Sequence, residues 1–517
     1  MDSKGNDNHG FTDDGKVGAV TEKFEVEEKK TKTKKAKEKW TCCQIALVVW
    51  CLSSVVAGVS LIVAFPYIFD AVLEAKMEVL PGSFSYDLWH YTPIPLYIRF
   101  YLFNLTNPDE FTNGAKPVLQ EVGPYVYREF HEKINITFNP NDTVTYFQQR
   151  WWHWDQEASG NNTQDDEVII LNTVPVSAAW AVRENSGLLS GLNLFFKQMD
   201  ENLTLSVPVR QLLFDGFPDP LLDFTQSLSN ASLLPPGLPS GLTDYDKFGW
   251  FYKRNLSVTY DGKFNMFTGH DTLEHLGVID WWNESNTTEY FEYPCNVVNG
   301  SAGEMWPPGQ QKDLVSLYSP DLCMTMTLYY KEETRDVNGL PGYRYWGTNQ
   351  TLPGDGCYCV EGVCAPSGLV NAESCRMGAP AFVSFPHFAH ADPSLLDEVV
   401  GLEPDEDIHS FDLDIIPEVG VPMHVTARMQ INLLVRPYKE IKILRHVPEV
   451  YLPLLWFEEE AVMPHSLAWQ LKLLLVIMNT PLVNIIFGCV VALGCIGATL
   501  VFFFRYRAIK KSRDDVT

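Results

Sequence analysis

Charge is missing from two long stretches of this chain. Residues 45–69 and 482–504 contain no Asp, Glu, Lys or Arg. At about 1.5 Å per helical residue, each is longer than the roughly 30 Å hydrocarbon core of a bilayer. A buried core helix rarely needs such length without a charge. A cleaved signal peptide is shorter and lies nearer the first residue. Basic residues are also scarce: 39 Lys+Arg stand against 65 Asp+Glu, a formal net charge of -26. That balance argues against a nucleic-acid partner. The chain has no Gly-x-Ser-x-Gly elbow and no Gly-rich phosphate loop with neighbouring carboxylates. Esterases and nucleotide hydrolases would be expected to carry them.

What is present gives the two runs a direction. Residues 29–39 (KKTKTKKAKEK) precede the first, and Arg505, Arg507, Lys510, Lys511 and Arg513 follow the second. Positive flanks stay cytoplasmic. The sequence therefore predicts a cytoplasmic tail (1–39), a first span (40–69), an outside or lumenal ectodomain (70–481), a second span (482–504) and a second cytoplasmic tail (505–517). Asn104, Asn135, Asn141, Asn161, Asn202, Asn230, Asn255, Asn283, Asn286, Asn299 and Asn349 each head an Asn-x-Ser/Thr triplet, and all lie in the expected ectodomain. Such acceptors suit a glycosylated surface. The tails carry +1 and +3, which leaves -30 between the spans. An ectodomain so acidic repels polyanions. Cys42 and Cys43 sit at the membrane border as candidates for palmitoylation, against the alternative of thiols buried in the helix end.

Within the ectodomain, residues 96–103 and 125–128 read as strands joined by a turn-rich bridge, with Gly123-Pro124 as the entry to the second. Residues 143–154 read as a strand ending in Trp151, Trp152 and Trp154, which aromatic packing explains more cheaply than lipid contact. Residues 424–436 alternate: Val425, Ala427, Met429, Ile431, Leu433 and Val435 face one way, and Thr426, Arg428, Gln430, Asn432 and Arg436 the other. That predicts a strand with one apolar face. Many such strands can close into a barrel. Residues 403–414 read as acidic and exposed. Residues 175–230 switch to helical spacing, with Leu188, Leu189, Leu192, Phe195, Phe196 and Met199 on one side of a helix. Six cysteines between 295 and 375 form an even set in a lumenal segment, so they imply disulfides; about 15 pairings are open from sequence alone. A zinc site at Cys357, Cys359 and Cys364 is the rival, disfavoured by an oxidising lumen. His387 and His390 lie in a loop bounded by Pro386 and Pro393, and no metal is expected there.

Three stretches carry a resemblance. Residues 103–130 (FNLTNPDEFTNGAKPVLQEVGPYVYREF), 265–272 (NMFTGHDT) and 380–393 (PAFVSFPHFAHADP) follow one another in this order. They resemble the class B scavenger receptor family, which includes the fatty acid translocase, the lysosomal integral membrane proteins and the insect sensory neuron membrane proteins. The likeness covers about residues 45–507. It implies an α+β membrane protein: a large antiparallel β-barrel-like ectodomain with an apical helical bundle at about 175–230, anchored by two transmembrane helices. It also implies the pairs Cys295–Cys357, Cys323–Cys375 and Cys359–Cys364. It implies ligand docking on the apical bundle, where Phe195 and Phe196 would take an acyl chain and Lys197 an acidic head group. The bland alternative makes the two rings bundle core and Lys197 a solvated charge. An internal hydrophobic tunnel would carry ligand from apex to membrane. Expected partners are lipids (fatty acids, sterols or their esters, carotenoids, phospholipids) or lipoprotein particles, with homo-oligomerisation left open and no cofactor. The expected location is the plasma membrane, with endosomes or lysosomes as the other candidate. The resemblance favours a receptor over an enzyme. A nucleotide-hydrolysing two-span ectoenzyme and a two-span ion channel are the competing readings.

Overall fold

A computed structural model describes residues 49–514 apart from 51, 61, 66, 231–244, 336, 361 and 480. Cys42, Cys43 and the whole of the Pro/Gly-rich stretch 233–241 lie outside the described residues. The chain divides into two compact units, 1–72 with 476–517 and 73–475.

The first unit holds the charge-free runs as helices. Leu52–Met77 and Ile485–Arg505 are long and apolar enough to cross a membrane. Their side chains are mostly exposed, which distinguishes them from the core helices of a soluble domain. Phe65 and Phe487 bring the two helices together, ring centroids 5.5 Å apart.

The second unit is built on one large antiparallel sheet. Its strands are β1 (Leu96–Leu105), β2 (Leu119–Phe138), β3 (Thr143–Trp154), β6 (Lys263–Phe267), β7 (Ile279–Trp282), β8 (Leu314–Ser319), β9 (Met324–Thr334), β10 (Gly342–Trp346), β11 (Asp412–Ile416), β12 (Val421–Val435) and β13 (Val450–Val462). Between β3 and β6, β4 (Glu167–Leu171) and β5 (Thr204–Pro208) form a separate pair. The order across the sheet is β8-β9-β10-β11-β12-β13-β1-β2-β3-β6-β7. The two edges nearly meet. Ser301 bridges Val278 on one side and Leu317 on the other. Gly300 makes this approach possible: at φ +81° a Cβ would lie 2.6 Å from the Ser316 backbone. The sheet is therefore almost closed, with Gly300 and Ser301 as the link between its edges.

One strand expectation needs correction. Gly123-Pro124 is not an entry to β2 but lies inside it, at a register shift opposite Phe100 and Leu102. Gly123 has φ +146°, and a Cβ there would sit 2.7 Å from the Phe100 carbonyl oxygen, so the bulge needs glycine. The polar side of β12 is buried along part of its length. Gln430 and Asn432 are both 0 % exposed. The segment around the short strand Ala381–Ser384 covers them, and Gln430 Oε1 accepts from the His387 N–H at 2.7 Å. Alternation reports the polarity of a face, not what packs on it.

The helical insertion consists of α1 (Thr173–Ala181), α2 (Ser186–Met199) and α3 (Pro220–Asn230). Asn185 caps α2 by accepting the Leu188 N–H, and the helix ends at Asp200 in the left-handed region. The region is not wholly helical: β5 pairs with β4 inside it, and residues Gln211–Asp215 form a single π turn. The acidic stretch 403–414 is exposed only in part; Asp414 is 1 % exposed and chelated by Arg344 at 2.7 Å.

Three disulfides, Cys295–Cys357, Cys323–Cys375 and Cys359–Cys364, tie the loops between β7 and β11. These are the pairs that the resemblance implies.

Candidate functional site

Strand register separates the two faces of the sheet. On the inner face, Met429 lies level with Phe457, then Phe100, then Tyr125. One apolar cluster on this face gathers β8–β12; another gathers β1–β5 with Phe214 and Phe251. Phe457 touches both clusters. Along this seam Val425, Ala427, Ile431 and Phe457 remain partly accessible although they sit in the middle of long strands. Apolar side chains in central strands normally lose nearly all their surface to close packing. These four residues lie where the two clusters meet and pack less completely than their neighbours.

Past the seam the same face becomes ionic. Glu459, two residues beyond Phe457, approaches Glu129 and His131 of β2. Arg150 of β3 lies opposite His131 and is chelated by Asp261, with Nη2 to Oδ1 at 2.6 Å. Burial pushes the Glu129 and Glu459 carboxyls up to about 7 and the His131 imidazole down to about 4.

The opposite face carries a different polar group. His387 Nδ1 accepts from the Glu403 N–H at 3.0 Å, so its Nε2 carries the proton and donates to Glu121 Oε2 at 2.6 Å. Trp456 Nε1 donates to the same oxygen. Against the upward push of burial, these two hydrogen bonds hold the Glu121 carboxyl below its usual range. His409 stacks on His387 at 4.4 Å, and its own Nδ1 accepts from the Asp405 N–H. Sequence reading treated His387 and His390 as one motif. The structure separates them: His390 turns to Ser410 at 2.8 Å.

The expected ligand residues also separate. Phe196 is 2 % exposed, within the core that joins α1 and α2 to the sheet, so it offers no ring to a ligand. Here the bland alternative describes the residue correctly: Phe196 belongs to the apolar stripe, and that stripe packs inward. Phe195 is half-buried and meets Phe224 of α3, centroids 5.0 Å apart. Lys197 is exposed, as are Leu188 and Phe224. Phe224 was missed, although its place beside Leu221 and Leu222 in an amphipathic helix was a usable signal. Nine of the eleven glycan acceptors are exposed; Asn104 is half-buried with its Oδ1 accepting from the Ile169 N–H, and the Asn230 side chain lies outside the described residues.

Comparison with known proteins gives this architecture a lineage. The CD36 family profile matches residues 48–506. The chain belongs to the CD36 family. Its relatives include Protein peste of Drosophila melanogaster, 34% identical over 465 residues that cover 88% of this chain and 81% of that protein. Scavenger receptor class B member 1 of Bos taurus is 32% identical over 465 residues, 88% of each chain. Lysosome membrane protein 2 of Mus musculus is 29% identical over 460 residues, 86% of this chain and 93% of that one. As a member of this family the chain is an α+β protein with two membrane-spanning helices, one toward each end. Two of these relatives are named as a receptor and as a lysosome membrane protein, not as enzymes.

Proposed function

We propose that this protein is a class B scavenger-type receptor that binds lipids or lipid-bearing particles and passes the apolar part of its ligand along the inside of the sheet. The observation that carries the reading is the seam of partly accessible apolar residues, Val425, Ala427, Ile431 and Phe457, on an otherwise enclosed face. An acyl or sterol group lying there is spared contact with water, worth about 25 cal/mol per Å² of apolar surface. No bond is made or broken. A concentration gradient or downstream metabolism supplies direction.

Capture is assigned to the exposed side of the helical insertion. Phe195 and Phe224 offer apolar rings, and Lys197 offers a cation to an acidic head group. Phe196 supports this surface from beneath. In this reading both tails are cytoplasmic and residues 70–481 face the outside or an endolysosomal lumen. The clustering of glycan acceptors in that segment supports the orientation.

The test is to fill the seam. Ala427→Trp and Ile431→Trp are expected to lower uptake of a labelled fatty acid and of a labelled cholesteryl ester several-fold, with normal amounts of protein at the cell surface. Unchanged uptake in both variants would overturn the internal path. Loss of particle binding in Lys197→Glu, with the seam intact, would separate capture from transfer.

A further inference from the structure

The ionic part of the inner face is deeply buried at its centre and partly open at its rim, where Asp321 and Arg376 are about one third exposed. Glu129 is 2 % exposed and His131 8 %. Glu129 Oε1 meets His131 Nε2 at 2.6 Å, and Glu459 completes a triangle whose atoms all lie within 4.8 Å of one another. Glu129 Oε2 has one donor facing it, the Trp152 indole N–H across the strand pair, and the two make no hydrogen bond of good geometry. A buried carboxylate oxygen without a good hydrogen bond is costly.

The surroundings define what is missing. From β3, Arg150 comes within 3.6 Å of Glu129 while holding Asp261. Arg254 joins Asp261 to Asp321 at 3.3 and 2.7 Å, and Arg376 backs Asp321 at 3.0 Å. Lys133, the next inward position after His131, pairs with Glu304. Five carboxylates (Glu129, Asp261, Glu304, Asp321, Glu459) thus face four fixed cations (Lys133, Arg150, Arg254, Arg376). One positive charge is lacking. A divalent metal ion would overshoot that deficit and press against Arg150. A single proton matches it.

We propose that the Glu129–His131–Glu459 cluster is a proton-binding site inside the sheet, occupied in acidic surroundings and emptied in alkaline ones, so that acid tightens the ectodomain.

The carboxyl shifts agree in sign. Both carboxyls titrate near 7 when folded and 4.5 otherwise. Their stabilising proton uptake is complete below about 4.5 and is lost as pH rises through about 7. His131 works in the opposite direction, because folding lowers it from 6.5 to about 4. Two carboxyls against one imidazole leave a net uptake of about one proton between about pH 7 and about pH 5.

The experiment is thermal unfolding of the full-length protein in lipid nanodiscs from about pH 8 to about pH 5, across the carboxyl range. The midpoint is expected to rise on acidification. Glu129→Gln supplies a permanently neutral side chain, and His131→Arg supplies the missing charge at every pH; each should flatten the rise. Should one variant fail to fold, the other decides. Infrared difference spectra should show a protonated-carboxyl band that appears with acid and is lost in Glu129→Gln. A flat or falling wild-type midpoint, an undiminished slope in a folded variant, or a stoichiometric metal ion in the purified protein would each overturn the proposal.

Discussion

Glu458, Glu459 and Glu460 are neighbours on β13, yet they live in two electrostatic worlds. Glu458 and Glu460 point to the outer face. Arg99 bridges both, at 2.9 and 2.8 Å, and Arg428 Nε closes on Glu458 at 2.6 Å. A hydrogen bond from His424, joined by Arg99, holds the Glu460 carboxyl down to about 2. Glu459 points inward, where burial and the nearby Glu129 push it up to about 7. Residue type and backbone are the same, and about five units separate the two carboxyls. The face decides: outside, the cations suffice and water is near; inside, they fall one short.

The largest break in this contrast should come from Arg150→Met. It leaves Glu129, Asp261 and Glu459 buried without their central cation, at a cost of about 3–5 kcal/mol in denaturant unfolding near neutral pH. Glu460→Gln should cost about 1–2 kcal/mol, a figure discounted because that side chain is 25 % exposed. Its effect should hold above about pH 4.5 and fade as pH falls toward about 2, since a depressed carboxyl contributes stability only where the unfolded group is ionised. Glu459→Gln should have the opposite sign, a gain of roughly 1 kcal/mol above about pH 7 that vanishes in acid. Arg99→Lys should be the mildest, below about 1 kcal/mol, because a lysine keeps the charge but not the fork that spans two carboxylates. Unfolding curves at several pH values check all four variants together.

Much of this architecture was legible from residue order. The charge-free runs and the strand alternation of 424–436 are local signals, and local signals survive in a sequence. The inner ionic cluster was not read. Its members come from residues 129, 131, 133, 150, 254, 261, 304, 321, 376 and 459, which only the closed sheet brings together. A hint existed in Glu129 and His131, two ionisable residues at i and i+2 on a strand, hence on one side of it. Phe196 was misjudged for a related reason. A helix stripe identifies which residues share a side, and the sheet beneath α2 decides that this side is covered.

The near-closure of the sheet has a consequence for how the chain is made. Ser301, which bridges the two edges, is also the hydroxyl residue of the Asn299-Gly300-Ser301 acceptor, and it is 1 % exposed with its hydroxyl donating to the Met305 carbonyl. A transferase cannot recognise a serine already stitched between two strands. Any sugar addition at Asn299 would therefore belong to the interval before the edges join, and the finished ectodomain would be a poor acceptor there even though the asparagine itself stands in solvent.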